Sequence, residues 1–258
     1  MKLSISNIAW PVSHDGEMYR FLSEIGYNGV EIAPTRLFPD KPYSRITEAA
    51  IFAKELRSEY GLEISSVQSL LFGRDENIFA SPEQRKRLLD YLKKAVLFAE
   101  AVRCRNLVFG SPKNRNMPSV EYLPVAEAFF REIGDFAYKH GAVIAFEPIP
   151  FYYGTNLINT TPEAFAFCRK VASEGFRVNY DLGTAIFNNE KIEEVKKNIA
   201  MVHHIHISEP MLAVLKKRAV HRKIKAFDYS GYVSIEMKYF GDIETVKNTA
   251  RYIAGIFA

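Results

Sequence analysis

RVNYDLGTAIFNNEKIEEVKKNIAMVHHIHI, residues 177–207, holds one full period of this chain. Its first five residues, RVNYD (177–181), alternate in the manner of a strand, and 190–199 carries the spacing of an amphipathic helix. VHHIHI (202–207) is a second strand pattern. Each strand ends on a side chain with acid–base or metal-binding chemistry, Asp181 and then His206. The same ending recurs on either side, in AVIAFE (142–147) at Glu147 and in YVSIE (232–236) at Glu236.

Outward from this segment the rhythm fills the chain. Strand patterns lie at 3–9, 29–33, 63–69, 106–110, 142–147, 177–181, 202–207 and 232–236. Helical patterns fall near 15–25, 46–60, 82–102, 120–140, 162–173, 190–199, 212–227 and 242–256. Eight alternating pairs predict a single (β/α)₈ TIM barrel, one domain spanning 1–258, where a doubly wound open sheet would rarely need eight regular units. Ser81-Pro82-Glu83 and Thr161-Pro162-Glu163 predict capped helix starts. Gly61, Gly141 and Gly175 predict left-handed helix ends. The loops after strands 2 to 5 are long (34–45, 70–77, 111–120 and 148–160), and those before strands are short. Barrels keep their chemistry on the long-loop face.

Period-two alternation predicts that Val143, Ala145 and Glu147 point inward, as do Arg177, Asn179 and Asp181. Val202, His204 and His206 form the third inward set, and Tyr232, Ser234 and Glu236 the fourth. Three carboxylates and an imidazole at one mouth would repel or stay costly unless a cation joined them. Three oxygen donors and one nitrogen suit one divalent ion, Mn²⁺, Mg²⁺ or Co²⁺, with Zn²⁺ also accommodated. Such an ion can polarise a sugar carbonyl while Glu147 and Glu236 take and return a neighbouring carbon-bound proton. Return to the other face is epimerisation, and return to the adjacent carbon is aldose–ketose isomerisation.

Around the mouth, Gln68 at the end of strand 3 is a candidate hydrogen-bonding partner for sugar hydroxyls. Trp10 with Phe72, Tyr152 and Tyr153 could wall the pocket. Lys113 and Arg115 in the strand-4 loop would suit an anionic sugar phosphate or sugar acid.

GYNGVEIAP, FEPIP, NYDLGTA, HIHISEP and GYVSIEM together resemble the xylose isomerase-like TIM barrels, the sugar phosphate isomerase/epimerase superfamily. The resemblance runs the length of the chain. It implies a divalent ion on Glu147, Asp181, His206 and Glu236, with the first and last as acid–base pair. It further implies that Glu31 on strand 2 lies near the mouth. Many members carry a histidine three residues after the strand-6 aspartate, where this chain has Thr184. Ketose 3-epimerases place an arginine after the strand-7 histidine, where Pro210-Met211-Leu212 follows here. A keto-polyol dehydratase and a non-catalytic carbohydrate-binding barrel are the rivals. Apurinic-site endonucleases share the barrel but need more strand-end histidines than a chain with six in all provides.

Composition fits a small-molecule enzyme. The chain is 48% hydrophobic with a net charge of +4, its Lys and Arg scattered through helices rather than gathered for nucleic acid. Two distant cysteines without CxxC spacing fit reduced thiols. No apolar run reaches the ~18 residues of a membrane span, and a cytoplasmic location without membrane partners is expected. Loop aromatics leave room for homo-oligomers.

Overall fold

The computed structural model describes residues 1–257. Eight parallel strands close into one barrel: β1 (Lys2–Ser6), β2 (Gly29–Ile32), β3 (Glu63–Val67), β4 (Asn106–Phe109), β5 (Val143–Phe146), β6 (Phe176–Asp181), β7 (Val202–Ser208) and β8 (Tyr232–Glu236). The helices are α1 (Asp15–Glu24), α2 (Pro34–Leu37), α3 (Ile46–Tyr60), α4 (Pro82–Ala101) and α5 (Leu123–Lys139). The second half adds α6 (Thr161–Val171), α7 (Leu182–Phe187), α8 (Ile192–Lys197), α9 (Ala219–Lys225) and α10 (Ile243–Phe257). None is long and apolar enough to cross a membrane, among the described residues.

Every expected strand is present, within two or three residues of its predicted bounds. Two short helices, α2 and α7, were not expected, and the 212–227 helix shrinks to α9. Ser81 caps α4 through Gln84 N, but α6 is capped by Thr160 rather than Thr161, with Glu163 reaching back to Thr160 N. Gly61 and Gly141 are left-handed at φ 69°. At the end of α6 Ala172 takes that conformation instead, at φ 51°. Gly175 answers a different need: a Cβ there would lie 2.0 Å from the backbone oxygen of Gly134.

Outward-facing strand residues pack under the helices, where Phe109, Phe130, Phe146, Phe167 and Phe176 form one cluster of touching rings. Full burial of such a side chain is worth roughly 1.5–3 kcal/mol. Inside the barrel the layers are polar rather than the usual branched aliphatics. Ser4 and Ser65 share a hydrogen bond of 2.5 Å, Asn106 Nδ2 donates to Ser66 Oγ at 2.9 Å, and His203 Nδ1 pairs with Asn106 Oδ1 at 2.7 Å.

Two register shifts shape this interior. Between β2 and β3, Val30 pairs with Ile64 but Glu31 pairs with Ser66, leaving Ser65 as the extra residue. Between β6 and β7, Val178 pairs with Val202 but Asn179 pairs with His204, leaving His203 extra. Such bulges let one strand re-aim its side chains. Val202 therefore lies beside the outward-facing Val178, contrary to simple alternation, while His204 and His206 face inward.

Candidate active site

Glu147 follows β5, Asp181 ends β6, His206 lies on β7 and Glu236 ends β8, so four consecutive parallel strands deliver them to one end of the barrel. One donor atom from each lies within 4.8 Å of the donor atoms of the other three. His206 Nδ1 is 2.9 Å from Glu147 Oε1 and 3.2 Å from Glu236 Oε2.

Neighbours hold these side chains in place. Asn179, one layer below on β6, donates to Glu147 Oε1 at 2.8 Å. Asp181 is also the cap of α7, accepting from Thr184 N at 2.6 Å, and its second oxygen accepts from the Ser208 hydroxyl. Ser208 in turn accepts from Gly183 N at 2.8 Å. Thr184 spends its hydroxyl on Pro148 O at 3.1 Å, tying the turn after β6 to the loop after β5. Ser208 and the orienting role of Asn179 went unremarked in the sequence. The signal for Ser208 was its place two residues past His206, on the same face of β7.

Burial pushes the carboxyls of Glu147, Asp181 and Glu236 up, and their mutual charges add to it while His206 pulls against it. Glu31 differs: burial works to raise it, but His206 and His204 outweigh that and hold it below the usual carboxylate range. His206 is disfavoured as a cation by burial yet held up by Glu31 and Glu236.

A cavity of about 240 Å³ opens above the four groups. Glu147, Asp181 and Glu236 lie in its lining with Gln68, Tyr152 and Tyr153. Its wall also includes Ile149, Thr184, Glu209 and Leu212, and it has no lysine or arginine among the described residues. Glu209 turns its carboxylate to Arg218, which donates through Nε and Nη2 at 2.6 Å each.

The remaining expected site residues lie elsewhere. Lys113 points outward from the 3₁₀ turn Pro112–Arg115 to pair with Asp75. Arg115 is fully buried, its guanidinium 4.5 Å over the Phe146 ring on the outer side of the barrel wall, with no hydrogen-bond partner. Trp10 is buried too, donating from Nε1 to Asp15 at 2.8 Å and packing on Tyr19. Glu31 is not in the cavity lining but lies 3.1 Å from His206 Nε2. It is fully buried between Ser6, the last residue of β1, and Ser66 on β3, with its carboxylate against His206 and His204.

A family model described as xylose isomerase-like TIM barrel matches residues 19–256. No curated protein sequence is significantly similar to the chain. Among solved structures it superposes on 3-keto-D-glucoside 4-epimerase from E. coli with a TM-score of 0.78, 19% identity and 99% of each chain covered. D-psicose 3-epimerase with D-tagatose from Clostridium cellulolyticum gives 0.79 and 16% identity, over 100% of this chain and 98% of that one. A family 2 AP endonuclease from Brucella melitensis gives 0.72 and 18% identity, over 99% of both. At these identities the likeness is one of fold.

Proposed function

We infer the chemistry from one premise: the chain belongs to the xylose isomerase-like TIM barrel family. We propose that it is an isomerase or epimerase of a neutral keto-sugar, working with one divalent ion held by Glu147, Asp181, His206 and Glu236. The observation that carries this is the convergence of these donors, within 4.8 Å of one another, on a cavity without lysine or arginine among the described residues.

The residues fit the ion. Three buried carboxylates with raised proton affinity lie in one low-dielectric pocket, a cluster that a cation would relieve. The donor set suits Mn²⁺, Mg²⁺ or Co²⁺, with Zn²⁺ also accommodated. Bound there, such an ion supplies polarisation of a substrate carbonyl and stabilises the negative charge that grows on it.

The proton work belongs to the chain. Glu147 and Glu236 come from strands separated by β6 and β7, so they approach the cavity from different sides. Each carboxylate has the reach to serve as the acid or base of the pair, one accepting a carbon-bound proton and the other supplying one. Asn179 fixes the Glu147 oxygen that faces His206. Gln68 donates its amide to Ser6, leaving its carbonyl oxygen to accept from a sugar hydroxyl. Tyr152, Tyr153, Ile149 and Leu212 give apolar surface for the sugar carbons. With Lys113 paired to Asp75 and Arg115 buried against Phe146, the lining has no lysine or arginine for a phosphate among the described residues. Two structural neighbours described as epimerases of keto-sugars support the same class.

The test is deuterium uptake from D₂O into neutral ketoses and 3-keto-glycosides, with sugar phosphates alongside and Mn²⁺ added. Exchange into a neutral sugar is expected, abolished by chelator and cut by about 10²–10⁴-fold in Glu147→Gln or Glu236→Gln. Full exchange in both variants, or exchange only into phosphorylated sugars, would sink the proposal. Loss of one water from the substrate in place of exchange would mark a dehydratase.

A further inference from the structure

The four groups at the mouth stand on a second layer of buried polar side chains. Glu31 Oε2 lies 3.1 Å from His206 Nε2 and 3.0 Å from His204 Nε2, and all three side chains are buried. The other ring nitrogen of His206, Nδ1, faces Glu147 and Glu236. One imidazole therefore links the cavity to the barrel interior. His204 packs edge-on against it, with ring centroids 5.2 Å apart and planes at 86°, which restrains rotation of the ring.

A neutral imidazole carries one ring proton. His206 can offer an electron pair from Nδ1 only when that proton sits on Nε2, where Glu31 is the acceptor among the described residues. The register shifts fall beside both partners, one between Val30 and Glu31 and the other between Val178 and Asn179, where His204 follows the extra residue His203. We propose that Glu31 is a positioning residue: by accepting the Nε2 proton of His206 it fixes the tautomer and ring plane that leave Nδ1 as a donor to the divalent ion.

Glu31, His204 and His206 are also close enough to hold an ion themselves. A second ion there would compete for the Nε2 proton and require His206 to lose both ring protons. That cost favours the positioning role. The inference rests on the metal site proposed above, and its test separates the two.

Wild-type protein, Glu31→Leu, Glu31→Gln and Glu236→Gln would each be titrated with Mn²⁺, with the free ion followed by electron paramagnetic resonance. Histidine ring ¹⁵N shifts would be recorded on the Mg²⁺-loaded proteins. One ion per wild-type chain is expected. Glu31→Leu should bind it about 10–100-fold more weakly, with the His206 ring signal shifted to a mixture of tautomers. Glu31→Gln, which keeps an acceptor oxygen, should recover most of the affinity. Should Glu31→Leu fail to fold, Glu31→Gln decides: its weaker acceptor must shift the Nε2–H signal, and an unmoved signal overturns the proposal. Wild-type affinity in Glu31→Leu overturns it, and so does a change from two ions per chain to one. If Glu236→Gln also binds Mn²⁺ as tightly as wild type, the metal site itself is what fails.

Discussion

At the scale of single residues, the raised carboxyls make metal binding and pH one problem. Glu147 and Glu236 sit above the ordinary 4.5, and Asp181 above its 3.8. Above those values the folded, metal-free chain binds more protons than the unfolded one, so stability falls as pH rises through that window. A cation takes over the role of those protons. The rise in Tm on adding Mn²⁺ should therefore be larger at about pH 7.5 than at about pH 5, and an equal rise at both would contradict the account. Ser208 gives a second prediction. Ser208→Ala removes the donor to Asp181 and the acceptor for Gly183 N, and should weaken Mn²⁺ binding by about tenfold in the same titration. The convergence of the quartet was legible in sequence because each member lies at or beside the C-terminal end of a strand and carries marked chemistry. Lys113, Arg115 and Trp10 were not, because a loop's chemistry says nothing of which way its turn winds. The 3₁₀ turn at Pro112 sends Lys113 out and Arg115 in.

At the scale of elements, the bulges decide whether β7 works. Deleting His203 would let β7 pair evenly with β6 and shift the residues after it by one place, a change that swaps faces. Deletion should abolish Mn²⁺ binding, whereas His203→Ala, which keeps the extra residue, should retain it within a few-fold of wild type (same metal titration). Strand existence and order were readable from eight repeated patterns. The bulges were not, since VHHIHI alternates cleanly and only its pairing with β6 reveals the extra residue. Gly175 shows a similar gap. The sequence suggested a helix end, but the reason for glycine is the crossing of the α6–β6 turn over α5 at Gly134. Gly175→Ala should cost about 1–3 kcal/mol or more, read from the urea midpoint. A cost near zero would mean that the two segments can part.

At the scale of the whole molecule, the proposed metal site would link ion and barrel by mass action. An ion at about a hundred times its Kd adds roughly 2.7 kcal/mol, which for a domain of 258 residues is about 5–10 °C in Tm. Calorimetry with and without chelator should show that shift, and Asp181→Ala should remove it. The single barrel was the most legible feature, because eight units leave few other ways to close a sheet. The polar interior was less so: serine, asparagine and histidine on inward faces look like surface residues until closure turns them toward one another. The lack of lysine and arginine in the cavity lining, among the described residues, has the widest consequence. Three carboxylates lie at its floor, and its wall has no lysine or arginine among the described residues, so a bound ion would be the one cation a dianion could meet there. On the proposed function this makes the pocket a filter by omission: adding sugar phosphates should leave deuterium uptake into a neutral ketose unslowed, and inhibition by them would contradict it.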